Sequence, residues 1–340
     1  MFKKIVLTIM LSLLIISQTG CGNKEAVTGS DEYLDTVCEI TLYGCDEDEA
    51  QEIITGGFRV IADNEALLSK TVEGSDVDRI NDSGGKAVKV SDITAETIAT
   101  GLEVGELSGG DFDITIGRLT DLWDFKSENP EVPSETDIRA AAETVDYRQV
   151  DLSGNRVRLN KDGSEMDLGG IAKGYIADLV TEYLEKEGVE SGIVNLGGNV
   201  VAIGSRADGE DFTIGIERPY SDRTEIIGSV SVSDKTVVTS GIYERKFEKD
   251  GVLYHHILDP ETGFPADTDL EAVTIVADRG YSGFCDALST ACLMAGADGA
   301  RTLVEKIQKK YPDRHIEALF IDREDNVTET DGMKLNPVEE

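Results

Sequence analysis

Helix-like and strand-like hydrophobic patterns alternate irregularly along the chain, and this order is the feature that most restricts its fold. Apolar positions recur at helical spacing in four stretches, at 47–68, 94–107, about 169–186 and 281–309. Strand-like patterns occupy shorter stretches at 38–44, 147–159, 192–203, 211–217, 225–232 and 252–258. No repeat with a period of about 20–50 residues connects them. We therefore predict an α+β fold around a largely antiparallel sheet.

The N-terminal segment has the pattern of an export signal. Two lysines precede an apolar run over residues 5–16, and small and polar residues separate this run from Cys21. The run is shorter than the about 20 apolar residues of a membrane-spanning helix, so we predict a cleaved signal peptide over residues 1–20. The context of Cys21 resembles a lipobox, although Gln18 stands where lipoproteins usually carry Leu. Lipidation at Cys21 is predicted, and an ordinary cleaved signal is the alternative.

Residues 21–32 are polar and contain glycine, which is typical of a flexible tether. The folded domain is predicted to span 33–335. A lipidated tether implies an exported protein that is anchored to the outer face of the bacterial cell membrane. Further along, residues 127–136 form an acidic loop with proline, after which Ser134 or Thr136 is predicted to cap a helix.

The chain is strongly acidic, with 67 Asp and Glu residues against 32 Lys and Arg residues and a formal net charge of −35. This charge opposes binding to nucleic-acid phosphates, so no nucleic-acid partner is predicted. An anionic ligand would need a metal ion or local hydrogen-bond donors at its site.

Four cysteines follow Cys21, and none of them belongs to a CxxC pair, so they predict no metal cluster. Cys285 and Cys292 lie on one face of a helix-like stretch and are predicted to be buried. Cys38 and Cys45 would be able to form a disulfide outside the cytoplasm, but their spacing does not decide whether they do.

Residues 109–125, GGDFDITIGRLTDLWDF, place the only tryptophan, Trp123, near Phe112 and Phe125. One interpretation is a hydrophobic turn at a domain junction. The other is a wall for a flat aromatic ligand.

Residues 166–180, MDLGGIAKGYIADLV, combine two glycines with the predicted start of a helix. The amides of a helix N-terminus bind anions, and Lys173, one turn into the helix, would reach a phosphate. A tight turn from strand to helix needs the same glycines, and the segment NLGGNV at 195–200 carries the same ambiguity.

Residues 239–266, TSGIYERKFEKDGVLYHHILDPETGFPA, contain the adjacent His255 and His256 and end in a rigid turn sequence. In a strand, neighbouring side chains face opposite sides, so at most one of the two points into a site. A purely structural histidine is the alternative for both.

Residues 284–296, FCDALSTACLMAG, place Asp286 and Thr290 on one face of a predicted helix. A carboxylate and a hydroxyl are a suitable partial ligand set for magnesium, which prefers hard oxygen ligands. Alternatively, Asp286 only favours the dipole at the helix start, and Thr290 is merely buried.

Together these sequence motifs indicate one protein family more specifically than any single motif does. FDITIGRLTDLWDF, DLGGIAKGYIAD, TSGIYERKF, HHILDPETGFPA and DALSTA occur in one order, and from about Tyr33 to Phe320 the sequence resembles the ApbE family of FAD:protein FMN transferases. The resemblance implies an ApbE-like (T-fold-like) two-lobed fold that binds FAD, the substrate, and Mg²⁺ in a cleft. It implies cleavage of FAD and attachment of FMN to a Thr or Ser of an acceptor protein through a phosphoester, with release of AMP.

The resemblance also implies roles for individual residues. Asp167, Lys173 and the backbone of Ile257 would contact FAD. The carbonyl of Gly170, together with Asp286 and Thr290, would hold magnesium. The acceptor would carry a short Ser/Thr flavinylation motif and be a membrane redox subunit or an extracytoplasmic flavoprotein.

Catalysis is assigned to Asp286 and His256, with His256 as a general base near neutral pH because an imidazole titrates in that range.

Two positions depart from the family pattern. Leu34-Asp35-Thr36 stands where many members have Met-Gly-Thr, and Thr71 stands where many have Tyr; Leu34 and Thr71 are the corresponding predicted FAD contacts. Some members without that Tyr hydrolyse FAD to FMN and AMP, so an FAD pyrophosphatase is one alternative. A non-catalytic flavin-binding lipoprotein is another, which the presence of both Asp286 and Thr290 disfavours.

Overall fold

The structure is a computed structural model and describes residues 26–221 and 224–338. Its seven α-helices are α1 Glu47–Leu68, α2 Asp76–Asn81, α3 Asp92–Ser108, α4 Gly117–Trp123, α5 Glu135–Ala142, α6 Ala172–Lys186 and α7 Ser282–Lys310. Its first eight strands are β1 Val27–Tyr33, β2 Thr36–Leu42, β3 Val88–Lys89, β4 Val150–Ser153, β5 Arg156–Leu159, β6 Gly192–Leu196, β7 Asn199–Ile203 and β8 Phe212–Glu217. The other eight are β9 Ile226–Val232, β10 Lys235–Gly241, β11 Lys246–Lys249, β12 Val252–His255, β13 Leu270–Asp278, β14 Glu317–Asp322, β15 Val327–Glu329 and β16 Asn336–Pro337.

Every pair of these strands is antiparallel. Eight strands form the main sheet in the order β1-β2-β6-β7-β10-β13-β14-β15. Smaller sheets contain β16-β9-β8, β3-β5-β4 and the hairpin β11-β12. The predicted α+β fold with a largely antiparallel sheet is confirmed.

The main sheet is covered on both faces. Helices α1, α6 and α7 pack on one face, with α3 against α7, and the sheet of β8, β9 and β16 shares a second core with the opposite face. Side chains alternate between the two cores: Val237 and Leu319 face the small sheet, whereas Val238 and Phe320 face the helices. Burial on both faces explains why central strands such as β7 and β13 are mainly apolar and do not alternate strictly between apolar and polar residues.

A third, smaller core surrounds Trp123 and includes Leu119, Ile138, Ala141 and Leu258. It joins α4, α5 and the β11-β12 hairpin into a smaller lobe next to the main sheet.

Helix boundaries follow local capping signals. Helix α1 has the predicted bounds and begins with three acidic residues, which favours the positive end of the helix dipole. Ser134 caps α5, as predicted, because its hydroxyl accepts the Asp137 amide at 3.2 Å. Helix α7 contains a break at Gly296, where φ is 66°, and the Asp269 carboxylate accepts the next amide, that of Ala297, at 2.9 Å.

The folded domain begins earlier than predicted, because residues 27–33 form β1 and are not a tether. This strand lies at the sheet edge and pairs with β2 from Val27 opposite Leu42 to Tyr33 opposite Thr36. An edge strand needs backbone pairing more than apolar side chains, so its polar sequence suits it. The predicted signal peptide 1–20, the lipidation site Cys21 and the rest of the tether up to residue 25 lie outside the described residues.

The cysteine predictions have separate outcomes. Cys285 and Cys292 are both fully buried, as expected. Cys38 is a free thiol, so no disulfide joins it to Cys45. The Cys38 thiol donates to the Tyr33 carbonyl at 3.7 Å, and the Cys45 thiol donates to the Tyr43 carbonyl at 3.7 Å. In residues 26–221 and 224–338, no helix has the length and apolarity that crossing a membrane requires.

Candidate active site

A cleft of about 710 Å³ lies between the main sheet and the smaller lobe. Its size falls in the range of ligand pockets, about 300–1,000 Å³. Nine residues that the sequence assigns to the site line this one cleft, namely Leu34, Thr71, Asp167, Gly170, Lys173, His256, Ile257, Asp286 and Thr290. The fold therefore brings together residues from segments that are far apart in the sequence.

The cleft lining is acidic, with nine Asp or Glu residues against four cations, Lys70, Lys126, Lys173 and Arg245. An anionic ligand would thus depend on few positive charges unless a metal ion accompanies it.

The Gly-Gly turn and Lys173 stand at the beginning of α6. The helix begins at Ala172 and not at about 169, so Lys173 lies in its first turn. A side chain on Gly170 would approach the Phe112 ring to 3.0 Å, and one on Gly174 would meet the Ser282 carbonyl at 2.3 Å. Close packing thus requires glycine at 174, and Gly170, whose neighbour Phe112 leaves little room for a side chain, lines the cleft.

Asp286 lies on α7 and is 2% exposed. One carboxylate oxygen, Oδ2, accepts the Gly174 amide of α6 at 3.0 Å, and the other, Oδ1, lies 3.6 Å from the Lys173 ammonium. Burial raises the pKa of Asp286, and Lys173 partly opposes this rise. Because the Asp286 carboxylate accepts a hydrogen bond from an amide of α6, it does not cap α7, the helix on which it lies.

The oxygen donors of Gly170, Asp286 and Thr290 fit a magnesium ion. They are a carbonyl, a carboxylate and a hydroxyl, all hard oxygen ligands, and a cation beside Asp286 would offset the cost of its buried charge. The Thr290 hydroxyl makes only a long contact of 3.4 Å with the Asp286 carbonyl. No group of three or more His, Cys, Asp or Glu side chains in the described part of the chain forms a metal site.

Asp167 is held by three neighbours. Its Oδ1 accepts the Gly169 amide at 2.8 Å, and its Oδ2 accepts the Thr120 hydroxyl at 2.7 Å. The Lys70 ammonium lies 3.5 Å from the same Oδ2. The carboxylate is therefore fixed at the cleft wall before any ligand binds.

The two adjacent histidines face different surroundings, as the strand pattern predicts. His256 lines the cleft, whereas His255 is buried at the end of β12. Burial, with a contribution from Arg245, lowers the pKa of His256 to about 3. The ring is therefore neutral at pH 7 in the free protein, and its role as a general base stays a prediction.

Trp123 does not form a wall of the cleft. It is 1% exposed, stacks on Phe125 and donates from Nε1 to the Gly263 carbonyl at 2.8 Å. Phe112 and Phe125 do line the cleft, so the hydrophobic-junction interpretation holds for Trp123 itself.

The β1-β2 turn brings Leu34 to the cleft in an uncommon conformation. Leu34 and Asp35 have φ of 54° and 57°, as the tight turns that connect antiparallel strands require. Asp35 forms an ion pair with Lys126 of the smaller lobe. Thr71 is exposed, and its hydroxyl lies 3.0 Å from that of Ser69.

The family model of the ApbE family matches residues 34–318. The chain belongs to the ApbE family. Similar proteins named FAD:protein FMN transferase include one from Treponema pallidum, 32% identical over 333 residues, with 92% of this chain and 90% of that protein covered. Another, from Klebsiella pneumoniae, is 38% identical over 247 residues, with 72% and 75% covered. The crystal structure of the ApbE protein from Thermotoga maritima has a TM-score of 0.80 at 33% identity and covers 90% of this chain and 97% of that one.

The ApbE motifs did not identify Lys70 or Thr120 as parts of the site. Lys70 directly precedes Thr71, and its one sequence signal is a lone cation after the apolar end of α1. Thr120 lies within FDITIGRLTDLWDF, but its bond to Asp167 spans 47 positions. The contacts that Lys70 and Thr120 make in the cleft are tertiary, so the motifs alone do not predict them.

Proposed function

We propose that this ApbE protein is a magnesium-dependent FAD:protein FMN transferase. It would cleave FAD, join FMN through a phosphoester to a Thr or Ser of an acceptor protein, and release AMP. The observation that carries this proposal is the buried Asp286 carboxylate beside Lys173 in a cleft that also holds Gly170, Thr290 and His256. The names of its relatives support FAD as substrate and a protein as acceptor.

Bound magnesium would neutralise the pyrophosphate and stabilise the charge that develops during phosphoryl transfer. Asp286, the Thr290 hydroxyl and the Gly170 carbonyl are the groups that would hold it. Lys173, in the first turn of α6, would orient a phosphate oxygen with its ammonium, and the helix N-terminus adds a favourable field.

In the transfer step, the acceptor hydroxyl oxygen bonds to the FMN phosphorus while the phosphorus bond to the AMP oxygen breaks. The hydroxyl proton moves to a neutral imidazole nitrogen of His256, and AMP leaves with its phosphate. A neutral ring is the form that accepts a proton, and an incoming anionic ligand would raise the low pKa of His256 towards the working range.

The location of the protein is part of the proposal. We propose that residues 1–20 direct export and that a lipid on Cys21 holds the protein on the outer face of the cell membrane. The acceptor would then be a membrane redox subunit or an extracytoplasmic flavoprotein with a Ser/Thr flavinylation motif.

The test incubates the full chain with FAD, magnesium and a candidate acceptor, and follows the acceptor by mass spectrometry and AMP by chromatography. We expect an acceptor that carries one FMN, AMP in equal amount, and loss of both in a chelator, with recovery on added magnesium. Binding of FAD with neither product would contradict an enzymatic function, and undiminished turnover in chelator would contradict the metal assignment.

A second reaction, hydrolysis of FAD to FMN and AMP, is favoured by one observation. Thr71 is a small exposed side chain at the cleft, and it leaves space for water near the ligand. AMP release without FMN on any acceptor would identify this activity.

A further inference from the structure

Lys70 lies where three parts of the cleft wall meet, namely the end of α1, the start of α4 and the segment that carries Asp167. It follows α1, its side chain is 13% exposed, and it lines the cleft. Its ammonium donates to the Gly117 carbonyl at 2.8 Å and to the Thr120 hydroxyl oxygen at 2.8 Å. Both acceptors belong to α4, which leads into the smaller lobe.

Two carboxylates accompany this ammonium. Asp121 lies 2.6 Å away but is 60% exposed, so that ion pair is expected to contribute little. Asp167 lies 3.5 Å away and is 18% exposed. Both carboxylates line the cleft, but water screens the interaction of Lys70 with the more buried Asp167 less than its interaction with Asp121.

The Thr120 hydroxyl transmits the effect of Lys70 to Asp167. A hydroxyl has a single hydrogen to donate. The Thr120 hydroxyl lies within hydrogen-bond distance of two acceptors, the Gly117 carbonyl at 2.9 Å and Asp167 Oδ2 at 2.7 Å. Because the carbonyl also accepts from Lys70 and a carboxylate is the stronger acceptor, the hydrogen is assigned to Asp167 Oδ2. Lys70 therefore fixes the orientation of Asp167.

A backbone hydrogen bond also holds the segment next to Asp167 against the start of α4. The Gly117 amide donates to the Glu165 carbonyl at 2.9 Å, and a side chain on Gly117 would meet that carbonyl at 2.7 Å. The start of α4 and the strand-like segment before Asp167 therefore cannot move apart without breaking the contacts of Lys70.

We propose that Lys70 is a positioning residue for dinucleotide binding, which acts on FAD through Asp167 and Thr120. It holds the Asp167 carboxylate in the orientation that accepts a hydrogen bond from an N–H or O–H donor of the dinucleotide. It does not touch the groups around Asp286, so its loss weakens binding of FAD and leaves the phosphoryl-transfer step intact. The proposal rests on the proposed function for the identity of the ligand.

The experiment compares wild type, Lys70→Met, Lys70→Arg and Thr120→Val by titration of flavin fluorescence and by AMP release with magnesium. We expect Lys70→Met to raise the KD and KM for FAD about tenfold, as expected for one lost charge-assisted contact, and to leave kcat within about twofold. Lys70→Arg restores most of the affinity. Thr120→Val raises KM while keeping the cation, so it tests the inference even if Lys70→Met does not fold.

Lys235→Met is the matched control, because Lys235 pairs with Asp278 outside the cleft; its KM should equal that of wild type. In addition, Lys70→Met should have no further effect in an Asp167→Asn background, since coupled residues are not additive. Unchanged KM in Lys70→Met or Thr120→Val, or full additivity with Asp167→Asn, would overturn the inference. If wild type binds FAD but releases no AMP, the proposed function fails and the fluorescence titration still decides the role of Lys70.

Discussion

Asp178 and Asp286 each accept a hydrogen bond from the first turn of the helix that carries the other. Asp178 lies on α6, and its Oδ2 accepts the Gly283 amide of α7 at 3.1 Å. Asp286 lies on α7, and its Oδ2 accepts the Gly174 amide of α6 at 3.0 Å. This exchange satisfies amides that lack partners within their own helices. It also places the Asp286 carboxylate beside the start of α6, where Lys173 stands.

The reciprocal bonds predict a specific pH dependence of stability. Burial raises the pKa of Asp178 from 3.8 to about 7, so the folded protein binds this proton more tightly than the unfolded chain. The resulting stabilisation is present below pH 3.8 and is lost as pH rises through 7. We expect Asp178→Asn, whose amide oxygen still accepts the Gly283 amide, to be more stable than wild type at pH 8, by on the order of a few kcal/mol.

Urea unfolding of both proteins at pH 5 and pH 8 measures this difference. Glu187→Gln is the control, because Glu187 is an exposed carboxylate at the C-terminal end of the same helix and should leave the pH dependence unchanged. If the difference in unfolding free energy between wild type and Asp178→Asn is the same at pH 5 and pH 8, the prediction is contradicted.

Asp286→Asn should reduce FMN transfer by on the order of a hundredfold or more and raise the magnesium concentration needed for activity, because a charged metal ligand is lost. Since burial raises the pKa of Asp286, the neutral side chain should not lower the melting temperature. Steady-state rates over a magnesium series, with melting curves, separate the two effects. Asp269→Asn alters a carboxylate that bonds the same helix outside the cleft and should retain activity; near-normal turnover of Asp286→Asn would mean that Asp286 is only structural.

Most of the fold was predictable because its signals are local. The apolar spacing of residues 47–68 matches α1, and the hydroxyl of Ser134 caps α5. Strands β1 and β10 were missed for opposite reasons. The edge strand β1 is polar because only its backbone is needed, and β10 shows no simple alternation because both its faces are buried in the centre of the main sheet.

The residues that line the cleft were predictable where they belong to motifs, and not where their contacts are tertiary. Short sequence motifs were enough to select Asp286, Lys173 and Gly170, which the fold brings to one cleft. The Lys70 contact to Thr120 spans 50 positions, and no periodic pattern records such a distance. The low pKa of His256 likewise arises from burial and from Arg245 on a neighbouring strand end, which a residue type alone does not reveal.

The pH profile of catalysis tests the environment of His256. Because its pKa is lowered to about 3, the free protein carries a neutral ring from pH 5 to 8. We expect kcat/KM for FAD to show no ionisation near pH 6.5 over this range, since kcat/KM reports the free enzyme, and His256→Ala to reduce transfer. His315→Ala, which alters an exposed ring paired with Asp278, is the control. If the pH profile of kcat/KM shows an ionisation near pH 6.5 that disappears in His256→Ala, the ring is not desolvated.

The proposed membrane anchoring through Cys21 predicts the result of cell fractionation. Cys21→Ser should move from the membrane fraction to the soluble exported fraction and keep its activity with FAD, because the predicted anchor is separate from the cleft. Cys45→Ser should remain with the membrane. If Cys21→Ser also stays with the membrane, residues 5–16 are retained as an uncleaved anchor and the lipid assignment is wrong.

The side chain at position 71 is predicted to set the balance between transfer and hydrolysis. Thr71 leaves part of the cleft open, so water has access to the phosphorus and slow release of AMP without acceptor is expected. In Thr71→Tyr the aromatic ring should fill that space, exclude water and suppress hydrolysis several-fold, while the acceptor hydroxyl still reaches the phosphorus. AMP is measured with and without acceptor for wild type, Thr71→Tyr and the size-matched control Thr71→Val. The control removes the hydroxyl contact to Ser69 without filling the space, so it should hydrolyse FAD like wild type. Equal acceptor-free hydrolysis in wild type and Thr71→Tyr would exclude position 71 as the determinant.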